Sequence, residues 1–164
     1  MNLLKQIFIA VATLTLLQSC LSGGDEFFGT WVNEYEVEVD GAGFYQQVET
    51  LTLNDDYTLT QSWAYLDGTH TDTIARASIN GSWEINDSCL EISYNQATIN
   101  VTTVMAYEEP IFFNHILAMA NYANEQLKNA HNENTTFGIK NAAVDGNNIV
   151  SKGTTNIQLY TRKK

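Results

Sequence analysis

The sequence is poor in basic residues. It has 8 Lys and Arg against 19 Asp and Glu, which gives a formal net charge of −11 at pH 7. Because proteins bind nucleic acids through clusters of Lys and Arg that contact the phosphates, this balance argues against a nucleic-acid partner. An anionic membrane surface also repels an acidic domain, so any attachment to a membrane must have another source.

Cysteine is scarce as well, with only Cys20 and Cys89 in the chain. If Cys20 is modified, as argued below, no disulfide framework is possible and the hydrophobic core must hold the fold. Cys89 precedes Leu90 at the start of an alternating apolar run, which favours a buried, unreactive thiol. About 145 residues follow position 19, enough for one domain with its own core.

The apolar run at residues 7–17 is too short to span a bilayer as a helix, which needs roughly 20 apolar residues. It follows a start with one positive charge, Lys5, and the two together have the layout of a secretory signal. The run ends in Leu17-Gln18-Ser19-Cys20, which resembles the bacterial lipobox: an aliphatic residue three positions before the cysteine and a small residue directly before it.

The lipobox resemblance implies that residues 1–19 are a lipoprotein signal peptide and that Cys20 carries acyl chains such as palmitate. The alternative is a plain signal peptide with a chance cysteine near its end. Residues 20–27 then form a flexible tether, and the acyl chains hold the domain at the membrane. Asp25-Glu26 resembles the surface-export signal of Bacteroidota lipoproteins, so an outer-membrane lipoprotein could face the periplasm or the cell exterior.

Apolar and polar residues alternate along much of the remaining chain. In residues 31–40, most apolar side chains take odd positions, whereas Glu34, Glu36 and Glu38 take even ones, as expected of a strand with one buried face. Similar alternation returns in residues 57–65, 75–85, 90–94, 99–105 and 157–159. Turn signals separate these runs. Asn80-Gly81 instead falls inside a run, which indicates a bulge or corner.

One segment has helical spacing. Pro110 suits the first turn of a helix, and residues 111–131 follow it. The apolar residues of one stripe are Phe112, Ile116, Met119, Ala123 and Leu127. We expect this helix to pack against the outside or the mouth of a sheet; the alternative is a lid over a cavity.

Seven to ten short strands with one late helix predict an all-β fold. We expect an antiparallel up-and-down β-barrel over residues 28–164, because closure removes the unpaired edges of a meander. A barrel of about eight strands either fills with side chains or holds one small ligand.

Gly29-Thr30-Trp31 resembles the Gly-x-Trp motif that opens the first strand of lipocalins. Together with the lipobox and the tether, it makes the chain similar to the lipocalin-like lipoproteins of Bacteroidota, most closely over residues 28–94. The resemblance implies that Gly29, Trp31 and Arg162 close one end of the barrel. In this arrangement the indole plugs that end and the arginine packs on it as a cation–π contact.

Six aromatic residues fall on the presumed inward faces and are candidate ligand contacts: Tyr35, Tyr57, Trp63, Tyr65, Trp83 and Tyr94. The alternative is that they only fill the barrel. Gln47, Glu49 and Gln61 share the inward parity. Because inward polar groups are costly unless paired or hydrated, they hint at a hydrated cavity, although a register slip of one residue would move them outside.

Signatures of catalysis are lacking. The sequence has no nucleophile elbow, no spaced triad and no Gly-rich phosphate loop. His70 and Asp72 could share a strand face, and His115 and His131 lie on the predicted helix, but no cluster reaches three metal ligands. We therefore expect neither an enzyme nor a metal or cofactor site.

These observations predict a membrane-anchored, lipocalin-like lipoprotein of the cell envelope that binds a small apolar or amphipathic ligand. The alternative is a protein-interaction module with a filled barrel, such as an inhibitor or an assembly factor. An open interior lined by the aromatic residues favours a ligand, whereas a filled barrel with an exposed apolar patch favours a partner protein.

Overall fold

The computed structural model describes residues 24–41, 43–69, 72–95, 99–103, 110–133 and 135–164. A short 3₁₀ turn at Asp25–Phe27 precedes the first strand. The strands and the helix are β1 (Gly29–Val39), β2 (Gly43–Leu53), β3 (Thr58–Leu66), β4 (Thr73–Asn86), β5 (Cys89–Tyr94), β6 (Asn100–Thr103), α1 (Pro110–Glu133), β7 (Phe137–Ile139), β8 (Ala142–Asp145), β9 (Asn148–Ser151) and β10 (Ile157–Arg162).

The strands form one antiparallel sheet that nearly closes into a barrel. Its order is β7-β5-β4-β3-β2-β1-β10-β9-β8, with β6 also pairing with β4. The two outer strands, β7 and β8, are consecutive in sequence, and the Ala142 N–H donates to the Ser88 carbonyl at 2.8 Å. The ends of the sheet therefore meet at this corner. The predicted fold class, an antiparallel up-and-down β-barrel with one late helix, is confirmed.

The two halves of the barrel are built differently. Strands β1 to β4 have 9 to 14 residues, whereas β5 and β7 to β10 have 3 to 6. The short strands join the lower half, the end where β1 begins: β5 pairs with β4 at residues 81–86, and β10 pairs with β1 at Trp31 and Val32. The long strands continue upward beyond them, and β6 pairs with their upper part at residues 75–78.

Strand β4 changes its partner where the sequence indicated a bulge or corner. It runs unbroken through Asn80 and Gly81, pairing with β6 before this point and with β5 after it. A Cβ atom on Gly81 would lie 2.2 Å from the Ser93 carbonyl oxygen. Glycine is therefore needed here for close backbone approach rather than for a hairpin.

The lower half is filled by an apolar cluster, which we call the lower cluster. Its buried residues are Phe27, Trp31, Leu51, Leu53, Leu59, Trp83, Leu90, Ile92 and Ile149. Phe27 belongs to the 3₁₀ turn and is 3% exposed. The packed domain thus begins before Phe28, where the sequence analysis placed its start, and includes the end of the predicted 20–27 tether.

Helix α1 covers the upper half. Phe112 and Ile116 are buried there in a second apolar group, the upper cluster, whose other buried members are Val39, Tyr45, Tyr65, Ile74 and Ala75. The predicted stripe was wrong at Met119, which is 51% exposed, because four-residue spacing from Ile116 turns the partly buried Ala120 inward instead. No helix in the described ranges is long and apolar enough to cross a membrane.

Candidate functional site

Polar side chains separate the two apolar clusters at mid-height. Along β2 the inward positions run from Tyr45 in the upper cluster, through Gln47 and Glu49, to Leu51 in the lower cluster. We call the polar layer the residues Tyr35, Gln47, Glu49, Gln61, Tyr94 and Tyr160. Gln47 and Gln61 are buried, as their odd parity predicted, whereas Glu49 keeps part of its surface exposed.

Four members of the polar layer form a chain of hydrogen bonds across the barrel. The Tyr94 hydroxyl on β5 donates to Gln61 Oε1 on β3, and Gln61 Nε2 donates to Glu49 Oε1 on β2. From the other side, the Tyr160 hydroxyl on β10 donates to the same Glu49 oxygen at 2.9 Å. This chain of hydrogen bonds, which we call the bridge, connects four strands, and Glu49 is its central acceptor.

The remaining candidates on the upper side adjoin this bridge. Gln47 Nε2 donates to the Tyr35 hydroxyl on the neighbouring strand. Trp63 is the register partner of Glu49 and packs, partly buried, against the upper cluster. Tyr65 lies one inward position higher, with its ring 6.0 Å from that of Tyr45.

Burial and the charge of Glu49 raise the pKa of the tyrosine hydroxyls in the layer. Burial first, then Glu49 and Tyr45, raises the pKa of Tyr35 to about 12. The same two causes, in that order, raise the pKa of Tyr94 and Tyr160 above the usual value of 10. These hydroxyls are therefore protonated at neutral pH and can serve as hydrogen-bond donors.

Part of the polar layer is exposed to solvent near the place where the pairing of β10 with β1 ends. Strands β1 and β10 pair only at Trp31 and Val32. On the other side of β10, its register with β9 shifts between Gln158 and Tyr160. A bulge of this kind bends a strand away from its neighbour. Tyr35, although on an inward position, is 40% exposed. Tyr160 itself lines a surface groove of about 500 Å³ between these two strands.

Tyr160 was missed by the sequence analysis. Strict alternation placed Ile157 and Leu159 inward, but Ile157 is 60% exposed and the shift at Leu159 brings the Tyr160 hydroxyl inside instead. One signal in the sequence could have indicated that Tyr160 faces inward. It stands two residues before Arg162, which was expected to face the barrel end, and residues two apart on a strand share a face.

Two of the six aromatic candidates lie away from the polar layer, at the lower end of the barrel. We call this the closed end, because the lower cluster fills it. Trp83 belongs to the lower cluster, and its indole N–H donates to the Asn54 carbonyl at 3.1 Å. Tyr57 was placed on an inward strand face, but it lies in the turn before β3 with φ 62° and is 47% exposed. Its ring packs on the Trp83 ring, with the centroids 5.3 Å apart, although Tyr57 is not part of a strand.

The Gly-x-Trp segment lies at the same end. Trp31 is fully buried, and its indole N–H donates to the Phe27 carbonyl at 2.7 Å. The Arg162 guanidinium sits over the indole ring, 4.2 Å from its centroid, and donates to the Phe28 and Glu26 carbonyls. Gly29 has φ 130°, and a Cβ there would lie 3.2 Å from the Arg162 guanidinium.

Other sequence candidates form no site in the described residues. No group of three or more His, Cys, Asp or Glu residues in that part of the chain could hold a metal ion. His115 packs its ring on Tyr45 at 5.9 Å, and His131 lines a surface groove near Tyr94. Cys89, expected to be buried, is partly exposed. Cys20 and His70 lie outside the described residues.

Comparison with known proteins identifies no matching family model, and no curated protein matches the sequence.

Proposed function

We propose that the protein is a lipid-anchored, lipocalin-like lipoprotein of the outer membrane that binds a small amphipathic molecule inside its barrel. The observation that carries the proposal is the polar layer: a barrel interior that is apolar at both ends, polar between them, and reachable by solvent at Glu49 and Tyr35.

The order of the inward residues supports an amphipathic rather than a purely apolar ligand. We place the ligand on the upper side of the layer, where Trp63 is only partly buried beside Glu49. A polar head group can bond to the amides, hydroxyls and carboxylate of the layer, while an apolar tail lies against Trp63 and the upper cluster under α1. Binding rather than catalysis is the role that we assign.

The anchor fits the geometry of the closed end. Four residue steps separate Cys20 from Gly24. Gly24 lies beside Trp83 at the closed end, because a Cβ atom placed on it would be 3.3 Å from the indole ring. Four extended residues reach at most about 14 Å. A lipid on Cys20 therefore holds the closed end towards the membrane, with α1 on the far side, whether the protein faces the periplasm or the exterior.

The test is native mass spectrometry of the chain from residue 20 onward. Cys20→Ser removes the proposed acylation, and a plain secretion signal directs the protein to the periplasm of its own host for purification without detergent. We expect a discrete adduct that disappears on denaturation. A clean mass, with no shift on addition of the host lipid extract, would contradict the proposal.

A protein-interaction module is the second candidate, and the outer face of α1 favours it. Ile111, Met119 and Tyr122 lie on this face and are all exposed. Their spacing of eight and three residues places them on one side of the helix. A ligand-free barrel that co-purifies with one stoichiometric partner, lost in the double variant Met119→Glu, Tyr122→Glu, would support this role instead.

A further inference from the structure

Glu49 has unused acceptor capacity in the interior. Both described hydrogen bonds to it, from Gln61 and Tyr160, end on Oε1. Among the described residues, no protein donor is seen for Oε2. A carboxylate offers about four lone-pair sites, so a ligand can bond to Oε2 without breaking the bridge.

No protein cation neutralises Glu49 within the described residues. Arg162 is engaged at the closed end by Trp31 and two backbone carbonyls. The other described basic side chains are all exposed: Arg76, Lys128, Lys140, Lys152, Lys163 and Lys164. Burial, followed by the charge of Glu49, raises the pKa values of Tyr35, Tyr94 and Tyr160. The interior charge is therefore open to a cation from outside.

The surroundings of Glu49 are aromatic. The Tyr160 hydroxyl donates to it, and Trp63 is its register partner on β3. Tyr35 is also near, since Glu49, after burial, contributes to the raised pKa of the Tyr35 hydroxyl. Aromatic faces attract organic cations, most strongly where water is partly excluded. An anionic head group, by contrast, would meet a like charge at this position. The net charge of −11 also raises the local concentration of cations around the protein.

We infer that the interior site selects amphipathic molecules with a positively charged head group, a protonated primary amine, which donates a hydrogen bond to Glu49 Oε2 while Tyr35, Trp63 and Tyr160 surround the charge. This inference rests on the proposed ligand-binding function and adds the chemical class of the ligand.

The test compares three ten-carbon probes, decylammonium, decanol and decanoate, each below the concentration at which it forms micelles or separates from solution. Calorimetric titration of the Cys20→Ser chain should show decylammonium binding about tenfold or more tightly than decanol, because of its charge-assisted hydrogen bond, and decanoate binding most weakly. Glu49→Gln keeps the size and an acceptor for Tyr160, and it should lower the affinity for decylammonium until it is no greater than that for decanol.

Glu38→Gln is the matched control, because Glu38 is exposed on the outward face of β1 and its loss changes the net charge equally. If Glu38→Gln weakens the cationic probe as much as Glu49→Gln does, or if decanol and decanoate bind as tightly as the cation, the inference is overturned and ligand binding itself stands. If no probe binds and native mass spectrometry also shows no adduct, the proposed function fails together with the inference.

Discussion

The hydroxyl of Tyr160 donates a hydrogen bond of 2.9 Å to Glu49, a residue 111 positions away in the sequence. The contact joins the last strand of the barrel to the second and places one end of the polar bridge beside the groove between β1 and β10. It therefore connects the stability of the barrel with the layer to which we assign ligand binding.

Tyr160→Phe should destabilise the protein. It removes one donor to the Glu49 carboxylate while keeping the ring, and hydrogen bonds to charged groups contribute about 1.5–3 kcal/mol. Urea denaturation measures the change in the free energy of unfolding. Tyr122→Phe, on the exposed face of α1, is the matched control and should be near neutral. Equal effects of the two substitutions would show that the bridge contributes nothing.

Trp31→Ala should cost about 3–5 kcal/mol of unfolding free energy, as large aromatic truncations in cores do. The indole is fully buried, donates to the Phe27 carbonyl and carries Arg162 on its face. The same urea measurement applies, with Trp63→Ala, a partly buried position, expected to lose less. A loss below 1 kcal/mol at Trp31 would disprove its role in closing the barrel.

Stability should decline steeply at alkaline pH. Burial and Glu49 raise the folded-state pKa of Tyr35 to about 12, and raise those of Tyr94 and Tyr160, above the value near 10 of an unfolded chain. The folded state thus holds protons that the unfolded state releases. This contribution is complete below about pH 10 and is lost as pH rises through the folded-state values.

Urea midpoints measured from pH 9 to pH 12, with tyrosinate absorbance followed in parallel, check this pH dependence. Tyr160→Phe should flatten the decline because it removes one of the coupled hydroxyls. A midpoint that does not change across this range would contradict the buried polar layer.

Cys20→Ser should abolish acylation. In the native host, the wild-type protein is expected to incorporate labelled palmitate, and this substitution removes the thiol that ends the lipobox-like segment. Cys89→Ser is the control and should be labelled like the wild type. If Cys20→Ser retains the label, the lipoprotein assignment is incorrect.

Local patterns in the sequence predicted strands β1, β3, β4 and β5 with their inward parity, and also the inward parity of Gln47 on β2. Period-two alternation is a property of single strands, so Gln47 and Gln61 could be placed inside before any pairing was known. The helix was likewise predicted within two residues of its ends, at 111–131 against Pro110–Glu133, because its spacing is also local.

The composition of the site could not be predicted in this way, because it depends on irregular backbone. One shift of register near Leu159 reverses the parity of β10 and brings Tyr160 inside. The positive φ of Tyr57 takes its side chain out of the alternation of β3. The bridge also pairs residues from four strands, and no local pattern specifies which inward residues of different strands meet.

The central claim is tested most directly by the indole N–H signals of the three tryptophans in a ¹H–¹⁵N NMR titration. Trp31 and Trp83 donate to backbone carbonyls at the closed end, whereas Trp63 adjoins the polar layer. On adding decylammonium to the Cys20→Ser chain, at a concentration where calorimetry shows binding, we predict that the Trp63 signal moves, together with the side-chain amides of Gln47 and Gln61. The signals of Trp31 and Trp83 should not change. An unperturbed Trp63 signal, or equal movement of all three, would contradict a binding site inside the barrel.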